Sequence, residues 1–255
     1  MKNLFLDKNT NVAVIGFGRF GKLMVKILLK YSQVKITLIE SKKINISHKN
    51  LIVGSYNAVK NADVIIPCVP ISNFETLVKQ IAPLVKKNAI IMDVCSVKIL
   101  PVDIMRNHLP TSTQIIASHP MFGPDSYRIK KRLNGLKLVI WNISTKKDYY
   151  LQVKKFFSNL GLTIIEITPK DHDKYMAFSL GYSYFIGKIG QRMDIKKTPI
   201  DTYDFKLLLD HISIIRKDSE QLFFDMQTKN PYAKKMLTKL NRIYDVLLKE
   251  IKSKK

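Results

Sequence analysis

Cysteine is scarce: Cys68 and Cys95 are the only two in 255 residues. Two thiols do not make the disulfide framework of a small secreted domain, and both lie in apolar runs, so they read as reduced, buried side chains. Long hydrophobic runs are missing as well. No stretch approaches the length of a membrane span, and Met1–Asp7 lacks the apolar core of a signal peptide. A cytoplasmic protein without membrane association is expected. Acidic residues are few, 20 against 43 lysines and arginines, which leaves a formal net charge of +23. Such an excess suggests a nucleic-acid or anionic-membrane binder. However, the lysines run from Lys2 to Lys255 and gather in no stripe, as a coding bias toward Lys, Ile and Asn would leave them. There is no zinc-finger spacing, no aromatic–basic RNA motif and no internal repeat. Neither a nucleic-acid partner nor a metal site is expected.

What is present is enough apolar residue, 46%, for a sizeable core in one large domain or two modest ones. Apolar runs alternate with amphipathic segments through the first half. Strand patterns at Asn11–Gly16, Val34–Glu40, Leu51–Val53, Ala62–Val69 and Ala89–Val94 alternate with helical periodicity at Phe20–Tyr31, Ile71–Val85 and Lys98–His108. Further strands are read at Leu136–Trp141 and Leu162–Ile167, around a helix at Asp148–Leu160. This βαβ order predicts an α/β fold with a Rossmann-like, doubly wound, mostly parallel sheet. After residue 168 strand signals nearly stop. Three helical patterns follow, Asp171–Arg192, Phe205–Thr228 and Ala233–Lys252, punctuated at Thr198-Pro199-Ile200 and Asn230-Pro231. The expected division is residues 1–168 as a dinucleotide-binding domain and 169–255 as an all-helical domain ending in a solvated lysine tail.

Gly16-Phe17-Gly18-Arg19-Phe20-Gly21 matches G-x-G-x-x-G between a strand and a helix, the context that pattern requires. Gly16 allows the turn, Gly18 lets backbone approach a pyrophosphate, and Gly21 allows close helix–strand packing. The helix N-terminus supplies N–H groups and positive dipole. Arg19 either reaches the pyrophosphate or sits in solvent. Glu40 ends the second strand, where a carboxylate bonds the adenosine ribose and repels a 2′-phosphate, so NAD is expected before NADP. Lys42 and Lys43 weaken that discrimination. Cys68-Val69-Pro70 ends the fourth strand beside the nicotinamide region of such sheets, with Val69 and Pro70 as cofactor contacts and Cys68 as a small core residue.

Strand ends in open α/β sheets line the ligand crevice. Ser96, in Asp93-Val94-Cys95-Ser96-Val97-Lys98, and His119, in Ser118-His119-Pro120-Met121-Phe122-Gly123-Pro124-Asp125-Ser126, therefore share one edge. His119 is read as held on a stiff turn after the run Gln114–Ala117, with Pro120 and Pro124 limiting the backbone. A histidine so placed moves protons near neutral pH. Ser96 either hydrogen-bonds a ligand or caps the next helix. Lys98, in the following turn, reads as a surface lysine. His48, His108 and His211 fall in no motif and receive no role.

Four ordered segments resemble the prephenate and arogenate dehydrogenases of tyrosine biosynthesis. They are the glycine loop, Asp93–Lys98, Ser118–Ser126 and Asp171-His172-Asp173-Lys174-Tyr175-Met176-Ala177-Phe178, and Lys197–Ile200 adds a stretch similar to short arogenate-type members. The resemblance covers about Asn11 to Tyr232. It implies NAD- or NADP-linked oxidation of a cyclohexadienol at C4 with loss of the ring carboxylate as carbon dioxide. His119 would then take the C4-hydroxyl proton, and Ser96 would orient that hydroxyl. His172 would line the substrate pocket, with Lys98 and Ser126 also at the substrate. Arg216 would clamp a carboxylate, although Ile214–Ser219 departs from several family patterns, and Arg128, Lys130 and Lys131 are the alternatives, or else form a mobile basic loop.

By the same resemblance the helical domain pairs two copies. Met176, Phe178, Tyr182, Phe185, Ile186 and Ile189 offer an apolar face that is otherwise monomer core. The length leaves no room for a fused chorismate mutase or a separate regulatory domain. Another Rossmann hydroxyacid dehydrogenase, or a non-catalytic NAD-sensing or nucleic-acid-binding protein, stays open. Prephenate and arogenate are not separated by these residues.

Overall fold

The computed structural model describes residues 7–42 and 44–254. The readings made on Met1–Leu6, Lys43 and Lys255 lie outside the described residues. The chain divides into two compact units, Met1–Pro169 and Lys170–Lys255.

The first unit runs β1 (Asn11–Ile15), α1 (Arg19–Tyr31), β2 (Lys35–Ile39), β3 (Leu51–Gly54), β4 (Val64–Pro67), α2 (Phe74–Ile81), β5 (Ile90–Met92), α3 (Ile99–His108), β6 (Gln114–Pro120), α4 (Pro124–Lys130), β7 (Lys137–Asn142), α5 (Lys147–Asn159) and β8 (Thr163–Glu166). Among the described residues, eight strands form one sheet in the order β3-β2-β1-β4-β5-β6-β7-β8. Every pairing is parallel except β6 with β7. The chain crosses from one half of the sheet to the other between β3 and β4, so the order reverses at the β1/β4 boundary, where such sheets open a ligand crevice.

The strand sequences read as near-continuous apolar runs because both faces are covered. Val12, Val14, Leu38, Ile66 and Ile116 join one core cluster with Leu23, Ile27 and Leu28 of α1 and Val153 and Phe157 of α5. Ala13, Ile15, Ile65, Ile91 and Ile115 join the other with Phe74, Val78 and Ile81 of α2 and Val102 and Met105 of α3. Each fully buried Val, Ile or Leu contributes about 1.5–3 kcal/mol.

Three local expectations are corrected. His119 is not on a turn. β6 continues through Ser118, His119 and Pro120, which pair with Ile140, Val139 and Leu138 of β7. Pro120 sits at the last paired position, where a missing N–H costs least. The helix read as Ile71–Val85 is α-helical only over Phe74–Ile81, with 3₁₀ turns at Ile71–Asn73 and at Ala82–Leu84, where Pro83 ends the regular ladder. Arg128 and Lys130 lie on α4, not in a loop, and Lys131 closes it in the left-handed region at φ 56°.

The second unit is helical: α6 (Pro169–Met176), a π turn at Ala177–Gly181, α7 (Tyr182–Arg192), α8 (Tyr203–Lys217), α9 (Glu220–Lys229) and α10 (Ala233–Ser253). The pattern read as one helix over Phe205–Thr228 is two. Ser219 starts α9 by accepting the Leu222 N–H at 3.1 Å, and the Tyr184 hydroxyl donates to the Asp218 carboxylate. Gly187 and Gly190 let α7 and α8 close up, since a Cβ on either would meet Ile215 or Ile212 at 2.7 or 2.5 Å. Among the described residues no helix is long and apolar enough to cross a membrane.

Candidate active site

The glycine loop leaves β1 at the reversal of strand order. The Gly16 N–H donates to the Ile39 carbonyl at 2.9 Å and the Cys68 N–H to the Ile15 carbonyl at 2.7 Å, so the loop is pinned to the ends of β2 and β4. Gly16 has φ +98°, and a Cβ there would lie 2.6 Å from the Cys68 carbonyl oxygen. A Cβ on Gly21 would lie 2.1 Å from the Gly16 oxygen. Gly18 differs: a Cβ there meets nothing within 4 Å. Protein packing does not demand glycine at this position, whereas close approach of a phosphate does. No side chain caps α1 at Gly18, and no acid occupies its first turn, which leaves the helix start suited to an anion.

Glu40 follows β2 and faces this loop. Its carboxylate accepts the Phe17 N–H at 2.8 Å, the Ser41 N–H at 2.8 Å and hydroxyl at 3.0 Å, and the Lys42 N–H at 3.3 Å. Burial pushes its pKa up, but the hydrogen bonds from Phe17, Ser41 and Lys42 outweigh burial and hold it below the usual carboxylate value. The group stays charged at neutral pH. Val69 packs partly buried against the α2/α3 core and Pro70 is exposed at the start of the following 3₁₀ turn. Cys68 is desolvated, its thiol pushed up to about 12, which suits an inert wall rather than a nucleophile. Arg19 is exposed. It pairs with Asp125 at the start of α4, which Arg128 also approaches at 3.5 Å. Phe17 and Phe20 flank the loop, packed against the α1/α5 core.

At the same sheet edge lie Ser96, after β5 two strands from β1, and His119, on β6 three strands from it. His119 is buried in β6. Ser96 does not cap α3, whose cap position is Lys98. Its residue is half-buried, and its hydroxyl oxygen is buried with no hydrogen-bond partner. An unsatisfied buried hydroxyl costs about 1–3 kcal/mol, a cost that a ligand hydroxyl at this edge would remove. Lys98 is the largest departure from the sequence reading: it is 1% exposed and bonded to Asp93 and to the Ser118 carbonyl. Ser126 is half-buried on the first turn of α4, while Arg128, Lys130 and Lys131 are exposed.

In the second unit His172 is buried, with its Nδ1 2.8 Å from an Asp173 carboxylate oxygen. The Asp173 carbonyl accepts the Asn230 side-chain amide at 2.8 Å. Arg216 is exposed on the last turn of α8. Sequence reasoning missed Asp93 and Asp125. Each stands inside a motif already singled out, five residues before Lys98 and six after His119, but only pairing partners distant in sequence reveal what they hold.

A strand order that reverses at a glycine loop, with an acid on the adjoining strand and a buried histidine at the same edge, defines a Rossmann-type nucleotide-binding domain. The family model described as prephenate dehydrogenase, nucleotide-binding domain, matches residues 25–164, more than half the chain. A second, described as TYRAAT1-like, C-terminal domain, matches residues 189–255. The chain belongs to the prephenate dehydrogenase family and is an oxidoreductase of that kind.

Arogenate dehydrogenase 2 of Arabidopsis thaliana is 27% identical over 252 residues, covering 94% of this chain and 69% of the relative. A probable arogenate/prephenate dehydrogenase of Methanocaldococcus jannaschii is 28% identical over 194 residues, covering 72% and 42%. The chain thus spans less than half the length of the latter. Among solved structures, prephenate dehydrogenase from A. aeolicus with hydroxyphenyl propionate and NAD+ superposes with a TM-score of 0.71 at 18% identity, covering 96% of this chain and 92% of that one. Synechocystis arogenate dehydrogenase gives 0.68 at 17%, covering 96% and 93%. These likenesses bear out the two-part architecture, a mostly parallel Rossmann-like sheet followed by helices.

Proposed function

We propose that the protein catalyses the NAD-linked oxidative decarboxylation of prephenate or arogenate. The observation that carries the reading is the presence, at one edge of a nucleotide-binding sheet, of both a buried histidine and a buried serine hydroxyl with no hydrogen-bond partner. Bound NAD supplies the hydride acceptor. Gly18 leaves room for its pyrophosphate, Glu40 takes the ribose hydroxyls, and the carboxylate of Glu40 disfavours the 2′-phosphate of NADP. His119 accepts the C4-hydroxyl proton on a ring nitrogen. Ser96 orients that hydroxyl. The substrate loses its C4 hydrogen as hydride, its hydroxyl proton to His119 and its ring carboxylate as carbon dioxide, and the ring becomes aromatic. His172, Arg216, Lys98 and Ser126 carry over from the family as substrate-side residues, although the burial of Lys98 argues against its touching substrate. Residues 1–168 serve the cofactor in this reading, and 169–255 serve substrate and pairing.

The test is reduction of NAD, and separately of NADP, by the purified protein with each substrate. Turnover with one substrate and faster turnover with NAD are expected. Bound NAD with no turnover of either substrate would overturn the reading in favour of a sensor.

The second unit also supports a homodimer. Phe178, Tyr182 and Ile189 are all more than 40% exposed, and Tyr244, Leu247 and Ile251 add an uncovered apolar stripe on α10. Contiguous exposed apolar faces mark association surfaces, and these side chains are the ones a partner copy would cover. Light scattering should give twice the chain mass, and a monomer at micromolar concentration would remove the pairing.

A further inference from the structure

The hydrogen-bonded register between β5 and β6 ends at Met92 with Ile116. Three residues later β6 carries His119. On its other side β6 stays paired with β7 through Pro120. Main-chain groups alternate direction along a strand, so the N–H and carbonyl of Ser118 point toward the side where β5 has already stopped. Ser118 is fully buried, and bare main-chain groups there would be costly.

Side chains take the place of the missing strand. One Asp93 carboxylate oxygen accepts the Ser118 N–H at 3.1 Å. The other accepts the Cys95 N–H at 3.2 Å and pairs with the Lys98 ammonium. That ammonium also donates to the Ser118 carbonyl at 2.5 Å, and the Ser118 hydroxyl donates to the Asp93 carbonyl. Asp93 and Lys98 are 0% and 1% exposed. A buried ion pair is seldom retained for stability, since an apolar pair of similar volume often does as well. An apolar pair could not satisfy the Ser118 main chain.

We infer that Asp93 and Lys98 are positioning residues: together they lock the backbone beside His119 to the Asp93–Lys98 loop that carries Ser96. Lys98 then acts through Ser118 and Asp93 and does not touch substrate. The inference rests on the dehydrogenase reading of His119 and Ser96. It differs from the family-based placement of Lys98 at the substrate, and it adds Asp93, which no motif reading had assigned.

The experiment compares full-length protein with Lys98→Met, Asp93→Asn, the double variant and the milder Ser118→Ala. The substrate is whichever of prephenate and arogenate the parent turns over, and kcat is expressed per NAD-binding site counted by titration. That normalisation removes losses due only to misfolded protein. A misplacement of about 1 Å costs about 10²-fold in rate, so Lys98→Met should lower kcat per site by about that factor, with the substrate KM within about threefold. The double variant should fall no further than the worse single variant, because one network is lost in each case. Ser118→Ala should lower kcat per site several-fold.

A raised KM at unchanged kcat in Lys98→Met would place the lysine on the substrate and overturn the inference. Unchanged kinetics in Lys98→Met would overturn it too. Should Lys98→Met fail to fold, Ser118→Ala decides, and parental kcat per site in that variant sinks the proposal. A parent that binds NAD yet turns over neither substrate overturns the dehydrogenase reading itself and this inference with it.

Discussion

His119→Asn is expected to abolish most turnover while leaving NAD affinity within about twofold. General-base help is worth about 10²–10⁴-fold, and asparagine offers no group that accepts a proton near neutral pH. The substitution suits its place. His119 is buried in β6 opposite Val139; the strand is paired with β7 on one side, and on the other the main chain of the preceding Ser118 is held by Asp93 and Lys98. Asparagine is smaller and leaves the strand's backbone pairing intact. Parental melting temperature and NAD binding, with kcat down by the stated factor, would locate the effect in the chemical step. Steady-state kinetics and calorimetric NAD titration measure both. Turnover within threefold of the parent would remove His119 from the proton step.

Gly18→Ala and Gly21→Ala are expected to fail in opposite ways. Gly18 has an ordinary extended backbone, φ −66° and ψ −169°, and an added methyl meets no protein atom within 4 Å. Folding stability should stay within about 0.5 kcal/mol, or rise slightly as the unfolded chain loses freedom. The same methyl stands where the pyrophosphate must approach, so NAD affinity should fall about tenfold or more, equal to about 1.4 kcal/mol. Gly21 is packed from within. Its methyl would lie 2.1 Å from the Gly16 oxygen and 3.4 Å from the Cys68 Cβ, so the loop or α1 must shift. Overpacking costs about 1–3 kcal/mol, and this variant should melt several degrees lower even without cofactor. Thermal unfolding with and without NAD separates the two. Parental NAD affinity in Gly18→Ala would mean that the loop does not seat the pyrophosphate.

The chain's own residues determined the sheet and its cofactor edge. Asn11–Ile15, Lys35–Ile39, Val64–Pro67 and Ile90–Met92 stand out because strands buried on both faces must be apolar almost throughout. The glycine loop is legible because its constraints are local: a positive φ at Gly16 and close packing at Gly21 admit no other residue. Glu40 is legible because its place at the end of β2 follows from the strand itself.

Tertiary structure alone decided the rest, since those features depend on partners far along the chain. Lys98 reads as solvated, and is buried because Ser118, 20 residues on, has main-chain groups that no strand meets. Ser118-His119-Pro120 reads as the start of a turn. It is strand because β7 returns antiparallel and pairs through Leu138, and the direction of a returning strand leaves no mark on its own sequence. Arg19 reads as a pyrophosphate contact or a solvated side chain, and its ion pair with Asp125 forms only once α4 is folded near the loop. Local geometry can be written in neighbouring residues, whereas the satisfaction of buried polar groups is settled where distant segments meet.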